Sequence, residues 1–359
     1  MKKLVCTLLA LLMLLTCASA LAERSDLTTM GFKVASLNAT NAHGWRSVYD
    51  AQLREVAEEY MELGIISEYQ EFCPQNDSAT EVQMFETCIN EGYDIILINA
   101  IGSSGLDACF EAAEEAGILV VPVDNLYPWE GSIGVQTNQY VWAGNACRYL
   151  CEALGGKGKI LQFNGQVATS GSSVRSDTWA EVLAEYPDIE VVYYGAHNWS
   201  QTESKVVMAE VLASGIEYDG ILTEEACVGI LEAIEEAGAA YPKAMTSDEE
   251  IGYLRMLERI NADETKIDFY IIENPPGIGA TALKLAVRMK AGWEWNDGVL
   301  ADGTDGNLVY YYEPTLIVTQ DGSEGISLAE ALEMTKDMED TDQVSAYITD
   351  EVADACFAE

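Results

Sequence analysis

The sequence predicts an α/β chain folded into two lobes, each built on a parallel sheet, and three observations carry that reading. From Phe32 to Asn125 short apolar runs alternate with amphipathic helical stretches, the order that gives a parallel sheet covered on both faces. The same alternation restarts near residue 138. Finally, the apolar run Phe269-Tyr270-Ile271-Ile272 ends at Glu273 and Asn274 and meets Pro275-Pro276-Gly277. Neither proline can donate to a sheet ladder and each fixes its own φ, so the strand stops there. A helical pattern opens at Gly279, with Ala282, Leu285, Ala286 and Met289 on one face, and returns the chain to its first unit.

The elements follow in order. Phe32 to Leu37 reads as a strand, Asn38 to His43 as a polar loop, and Tyr49, Leu53, Val56 and Tyr60 mark the apolar face of a helix. Ile65 to Phe72 is a more exposed strand, Thr80 to Asn90 a helix, Ile95 to Ile98 a buried strand and Leu106 to Ala116 a helix. Leu119 to Val123 closes the series at Asp124. In the second unit Tyr140 to Leu154 is helical, and strands are expected at Lys159 to Phe163, Val191 to Tyr194, Gly220 to Thr223 and Ala244 to Thr246. Helices around Thr178 to Tyr186, Glu203 to Ala213 and Val228 to Ala237 separate them. Thr315 to Val318 reads as a last strand returning to the second unit, and the acidic tail from Ser327 reads as helical.

A chain of 359 residues with 49% hydrophobic and 22% charged residues can bury two ordinary cores. Lys2 and Lys3, the apolar run Leu4 to Leu15 and Ala20-Leu21-Ala22 before Glu23 together form a secretory leader over residues 1–22. Cys17 leaves lipid attachment open as the alternative, although Thr16 is larger than the residue usual before such a cysteine. Either way export is expected, to a periplasmic or extracellular place, free or held to the outer face of the membrane. Loss of the leader removes two lysines and no acid, which takes the formal charge from −41 to −43. Such a surface repels nucleic acids and anionic membranes and favours a monomer. Seven cysteines remain without regular spacing, so buried thiols with at most one bridge are expected, and no metal site.

In open parallel sheets ligands bind beyond the carboxyl ends of the strands. Here those ends carry Ser36 and Asn38, Asn99, Asp124 and Asn125, Asn164, Thr223 and Glu224, Ser247 and Asp248, and Glu273 and Asn274. Carboxylates, amides and hydroxyls in this number suit a neutral ligand with many hydroxyls. Trp45 and Trp199 are read in loops, where a ring can stack on the C–H face of a sugar. Arg46 and Arg175 are likewise read in loops, with Arg175 expected to fork onto Asp124 and Asp248. Catalysis finds little support: the two histidines, His43 and His197, lie far apart, and no GxSxG, HExxH, P-loop or GxGxxG motif occurs in its required setting. No cofactor is implied.

From about Phe32 to Tyr312 the chain resembles the solute-binding proteins of sugar ABC transporters, of the ribose-binding-like type. The likeness rests on the opening strand with Asn41 and Trp45-Arg46, on AGILVVPVDN (Ala116 to Asn125), Gln136-Thr137-Asn138, LGGKGKI (Leu154 to Ile160) and NPPGIGATAL (Asn274 to Leu283). It implies two Rossmann-like lobes with parallel sheets joined by a three-segment hinge, the type I periplasmic binding protein fold. Its ligand-holding aspartate, arginine and aromatic match Asp124, Arg175 and Trp199, and its later acid or amide positions match Asp248 and Glu273. Departures are Asp177-Thr178-Trp179 in place of the usual Gly-Phe after the arginine, Thr223-Glu224-Glu225 in place of an Asn-Asp pair, and Glu273 in place of an amide. They bear on the identity of the sugar.

The expectation is thus a leader at 1–22, a first lobe of 30–137 plus 275–312, and a second of 138–274 plus 313–359. A monosaccharide or similar polyol would bind between the lobes and pass to an ABC permease. Alternatives are a sugar-sensing module for a chemoreceptor or sensor kinase and an exported carbohydrate-active enzyme.

Overall fold

The computed structural model describes residues 24–358 except His43, Ala168, Ser247, Asp248, Thr265, Thr304 and Asp305. The expected leader and the Asp248 site position therefore lie outside the described residues. After a short 3-10 turn, the chain runs β1 (Phe32–Asn38), α1 (Gly44–Glu62), β2 (Ile66–Phe72), α2 (Ser78–Asn90), β3 (Ile95–Asn99), α3 (Asp107–Glu115), β4 (Leu119–Pro122) and β5 (Ile133–Thr137). It continues α4 (Gln139–Ala153), β6 (Lys157–Asn164), α5 (Ser170–Ala184), β7 (Asp188–Ala196), α6 (Gln201–Ser214), β8 (Gly220–Thr223), α7 (Cys227–Ala237), β9 (Ala244–Thr246), α8 (Ile251–Ile260) and β10 (Asp268–Ile272). Then come α9 (Ile278–Lys290), β11 (Ala301–Asp302), β12 (Leu308–Tyr312), β13 (Ile317–Thr319), β14 (Ile326–Ser327), α10 (Leu328–Met334) and α11 (Asp350–Ala355).

The first lobe holds a parallel sheet in the order β2-β1-β3-β4. A parallel bridge between Val123 and Val135 extends it to β5, which pairs with β12 and through it with β11. Neither β5 nor β12 was expected: both are five residues long and lie beside a crossing. The second sheet runs β14-β13-β10-β9-β8-β6-β7 and is parallel except where β13 meets β10. Side chains alternate across the central strands, as a pleated ribbon buried on both faces requires. Ile95 and Leu97 enter one core while Ile96 and Ile98 enter the other. In the second lobe Phe269 and Ile271 face one way and Tyr270 and Ile272 the other.

The helix after the prolines is more buried than a one-faced pattern suggests. Every residue of α9 from Ile278 to Arg288 is buried, because α9 is enclosed by the first sheet, α1 and the end of the chain. Two buried cations come with it. Lys284 Nζ lies 2.8 Å from Asp350, and Arg288 donates to Asp354 at 2.7 Å and to Asp350 at 2.9 Å, which offsets the cost of burying the charges. This places the last residues on the first lobe: Ile348, Ala353 and Phe357 belong to its core, a departure from the second-lobe assignment of 313–359. The tail is two short helices joined by irregular chain, not a continuous helix. All seven described cysteines are free, so the one bridge allowed for is absent among them.

Three crossings lie side by side. The Asn138 N–H donates to the Tyr312 carbonyl at 2.8 Å, and its amide nitrogen to Glu313 Oε1 at 2.7 Å. Glu273 binds the third crossing to the second: its Oε1 accepts the N–H groups of Thr315 at 2.7 Å and Leu316 at 3.0 Å, with the Thr315 and Tyr312 hydroxyls at 3.1 and 3.3 Å. The carboxylate proposed for the ligand is thus engaged by the hinge. Glu273→Ala would orphan two backbone donors at roughly 1–3 kcal/mol each. Urea unfolding of ligand-free protein is expected to show a loss of about 2–6 kcal/mol, which a purely ligand-contacting side chain would not produce.

Candidate functional site

The strand ends of the two sheets face each other across a cleft. Its broad mouth, ≈ 630 Å³, is bordered by Trp45, Arg46, Trp199, Gln201, Glu225 and Glu250 among others. Its narrow inner end, ≈ 30 Å³, is enclosed by Trp45, Arg46, Asp124, Asn125, Gln139, Arg175, Trp199, Glu225 and Asn274. The inner end is too small for a sugar ring, so a ligand that reaches Asp124 and Arg175 must part the lobes.

Trp45 and Arg46 lie in the first turn of α1, and Arg175 on α5, rather than in loops. Helix α5 begins at Ser170 because the Thr169 side chain accepts the Ser172 N–H and so caps a serine-rich first turn. Trp45 Nε1 donates to the Asn274 carbonyl at 2.6 Å, and its ring stacks on Tyr49 at 5.8 Å. Arg46 is buried and donates to Asn38 Oδ1 at 2.6 Å, while the Asn38 amide donates to Asp50 at 2.8 Å. Burial lowers the Arg46 pKa, against the attraction of Asp124. Burial likewise raises Asp124, against Arg46 and Arg175, and pushes Asp50 up to about 6. Asp124 itself is held at φ +59°, tolerated by an aspartate, and accepts from Asn99 at 3.3 Å, whose side-chain Oδ1 accepts from Asn125 at 3.2 Å.

Arg175 sits with its guanidinium 3.9 Å from the Trp142 ring centre. It donates to Gln139 Oε1 at 2.7 Å and to Glu225 Oε1 at 3.1 Å, with Glu224 at 3.9 Å, in place of the expected bond to Asp124; the Asp248 arm of the expected fork lies outside the described residues. Gln139 donates onward to Asn274 Oδ1 at 3.0 Å, and Asn274 to Glu225 Oε1 at 3.2 Å. Four side chains therefore form a closed circuit. Gln139 and Glu225 were not among the sequence candidates, although each belongs to or adjoins a motif singled out there, the Gln136-Thr137-Asn138 crossing and the acidic pair after β8, whereas Asn274 is one of the polar groups read at the strand ends. Glu224 turns inward instead. It accepts from Ser172 at 2.8 Å and Asn164 at 2.9 Å, and burial raises its pKa against the pull of Arg175. Asn41 is exposed at the rim and accepts from Gln75 at 3.1 Å.

Trp199 stands at φ +56°, next to Asn198 at +51°, and is held there by His197. The Trp199 N–H donates to His197 Nδ1 at 3.1 Å, which leaves the ring proton on Nε2. Nε2 then donates to Thr223 Oγ1 at 3.0 Å, and Thr223 donates to the Glu225 carbonyl at 2.8 Å. The indole lies so close to Gly165 that a Cβ there would meet it at 2.1 Å, and its Nε1–H is a buried donor without a partner among the described residues. The structure thus brings Trp45, Arg46, Asp124, Asn125, Arg175 and Trp199 to one cleft. Asn38, Thr223 and Glu224 stand behind it, and Glu273 lies in the hinge.

A sequence model for the periplasmic binding protein domain matches residues 34–293. The chain belongs to this family. Among curated members, it is 29% identical over 167 residues to a xylitol-binding protein of Mycolicibacterium smegmatis, covering 45% of this chain and 48% of that one. The chain spans about half the length of the curated relatives it matches. Solved structures share the fold across nearly the whole chain. An ABC transporter solute binding protein of Thermobispora bispora superposes with a TM-score of 0.75 at 20% identity, over 90% of this chain and 94% of its own. One from Actinobacillus succinogenes with bound D-allose gives 0.68 at 19%, over 84% and 99%. The type I periplasmic binding protein fold expected from the resemblance is the fold observed.

Burial pushes the His197 pKa down to about 3, with Arg175 adding to the effect. A histidine kept neutral in the fold contributes stability that is complete above its unfolded pKa of about 6.5 and is lost as pH falls toward 3. Asp50, whose folded pKa is raised, has the opposite trend below pH 6. The comparison of wild type with His197→Gln isolates the histidine. Between pH 7 and pH 5, urea unfolding of wild type is expected to lose about 2 kcal/mol more than that of the variant.

Proposed function

We propose that the protein is an exported binding protein that closes on a monosaccharide or similar polyol and presents it to an ABC permease. The observation that carries this reading is the composition of the cleft: two tryptophan faces bound a space into which the neutral amides and compensated charges of both lobes converge. Such a site favours a ligand with an apolar face and a rim of hydroxyls. Its buried donors and acceptors penalise any ligand that leaves them unpaired. The xylitol-binding relative and the D-allose complex support the same ligand class. Membership in a family of binding proteins supports capture rather than turnover. The leader read at residues 1–22 supports delivery to the periplasm or the outer face of the cell membrane.

The ligand would enter with the lobes apart and draw them together by contacting both, which gives it a higher affinity for the closed state. Micromolar binding requires about 8 kcal/mol, within reach of several charge-assisted hydrogen bonds and two stacked rings after ordering costs.

A thermal-shift screen of the chain from Glu23 tests this, with pentoses, hexoses, amino sugars, alditols and nucleosides as ligands. At least one sugar or alditol is expected to raise the melting temperature in proportion to the logarithm of its concentration. Arg175→Met is expected to weaken that ligand by roughly tenfold to 150-fold, the equivalent of about 1.5–3 kcal/mol for a lost charged hydrogen bond. Absence of any shift, in protein shown by mass spectrometry to carry no ligand, would count against a sugar.

A further inference from the structure

Beyond the three crossings, the chain passes between the lobes once more. At the second-lobe end, Gly252 and Ile251 donate to the carbonyls of Asp340 and Asp342 at 2.8 and 3.0 Å, and Val344 donates to Glu249 at 3.2 Å. Gln343 forms an antiparallel bridge with Glu250. Midway, the Ser345 hydroxyl accepts the Gly277 N–H at 2.9 Å and donates to Gln52 at 2.7 Å. At the first-lobe end Ile348 donates to Thr281 at 3.3 Å, and Asp350 and Asp354 receive Lys284 and Arg288. Asp350 also accepts the Tyr60 hydroxyl.

The segment is pressed against the backbone on its way. A Cβ on Gly44 would stand 2.5 Å from the Thr341 carbonyl oxygen, and one on Gly277 would stand 2.3 Å from that of Ala346. In the same stretch Thr341 and Gln343 border the broad mouth of the cleft. Anchors on both lobes and two side chains at the mouth are separate observations that point to one role.

We propose that residues 340–350 form a fourth connection that walls the cleft mouth through Thr341 and Gln343, and so limits both how far the lobes part and how long a ligand is admitted. The length limit rests on the sugar-binding reading above, whereas the limit on opening does not. Parting the lobes by any large angle would pull the segment from Ser345 or from the charged foot on α9. A ligand longer than a single ring would project toward Thr341 and Gln343.

The test uses the full chain in three variants. Gly44→Ala wedges the segment away from α1 without touching a charge, and Asp350→Asn loosens its foot, so the two probe the connection by unrelated means. In ligand-free protein each is expected to increase the radius of gyration by X-ray scattering and to speed hydrogen exchange of residues 341–348 at least tenfold. Thr341→Ala/Gln343→Ala is expected to extend the thermal-shift response from single-ring sugars and alditols to disaccharides. Faster exchange with an unchanged radius in both loosened variants would overturn the limit on opening, and so would exchange unchanged in both. A wild type that responds equally to disaccharides would overturn the limit on length. If no sugar shifts wild type, the ligand assignment fails, and scattering and exchange still decide the connection.

Discussion

The cleft depends on one closed circuit of hydrogen bonds: Arg175 to Gln139, Gln139 to Asn274, Asn274 to Glu225, and Arg175 to Glu225. Its members come from α5, the start of α4, the loop after β8 and the proline crossing, so four separate backbone segments share one set of partners. In a desolvated setting each bond is stronger than in water, and removal of any member takes one partner from each of its two neighbours. The guanidinium lies over the Trp142 ring, and that indole in turn donates to the Ile272 carbonyl at 2.9 Å, next to the crossing. The circuit therefore joins the crossing to the second lobe. The first lobe reaches it through Trp45 and the Asn274 carbonyl.

The electrostatics follow from the same burial. An acidic chain of formal charge −41 has placed two arginines among Asp124, Glu224 and Glu225 at its centre. Burial disfavours the charged form of each group and the opposite charges restore it, which is why the pKa of Arg46 is lowered and those of Asp124 and Glu224 are raised. The inner end of the cleft is polar in its atoms and balanced in formal charge, with Arg46 and Arg175 beside Asp124 and Glu225. Such a surface offers hydrogen bonds without a strong field, a setting suited to hydroxyls more than to ions.

Periodicity and punctuation made most of the scaffold legible. Short continuous apolar runs such as β3 and the proline stop after β10 report burial and broken ladders directly, and they need no distant partner to be recognised. What stayed hidden was decided by contacts remote in sequence. The first turns of α5 are Ser-Gly-Ser-Ser, poor helix formers that the Thr169 cap and packing under Asn125 make helical, so Arg175 looked like a loop residue. Strand β5 exists because β12 and Val123 pair with it. Glu273 ended a strand as a ligand-facing acid would, and only the return of Thr315 and Leu316 explains its partners. In the tail, acidic composition suggested a helix, but the buried cations of α9 determine where Asp350 and Asp354 go.

Of the seven tryptophans, Trp142 and Trp179 are sealed in the second core, Trp293 and Trp295 pack beside Phe357, and Trp129 lies against Phe110. Trp45 and Trp199 border the cleft, one from each lobe. The first has its N–H satisfied by a carbonyl and the second does not. Indole emission responds to the polarity and hydrogen bonding around the ring, so occupancy of the cleft is written into the intrinsic fluorescence of the chain. On the sugar-binding reading, a ligand in the cleft would change the surroundings of these two rings, while the other five lie outside its lining. The protein is in that sense its own optical sensor, without a label.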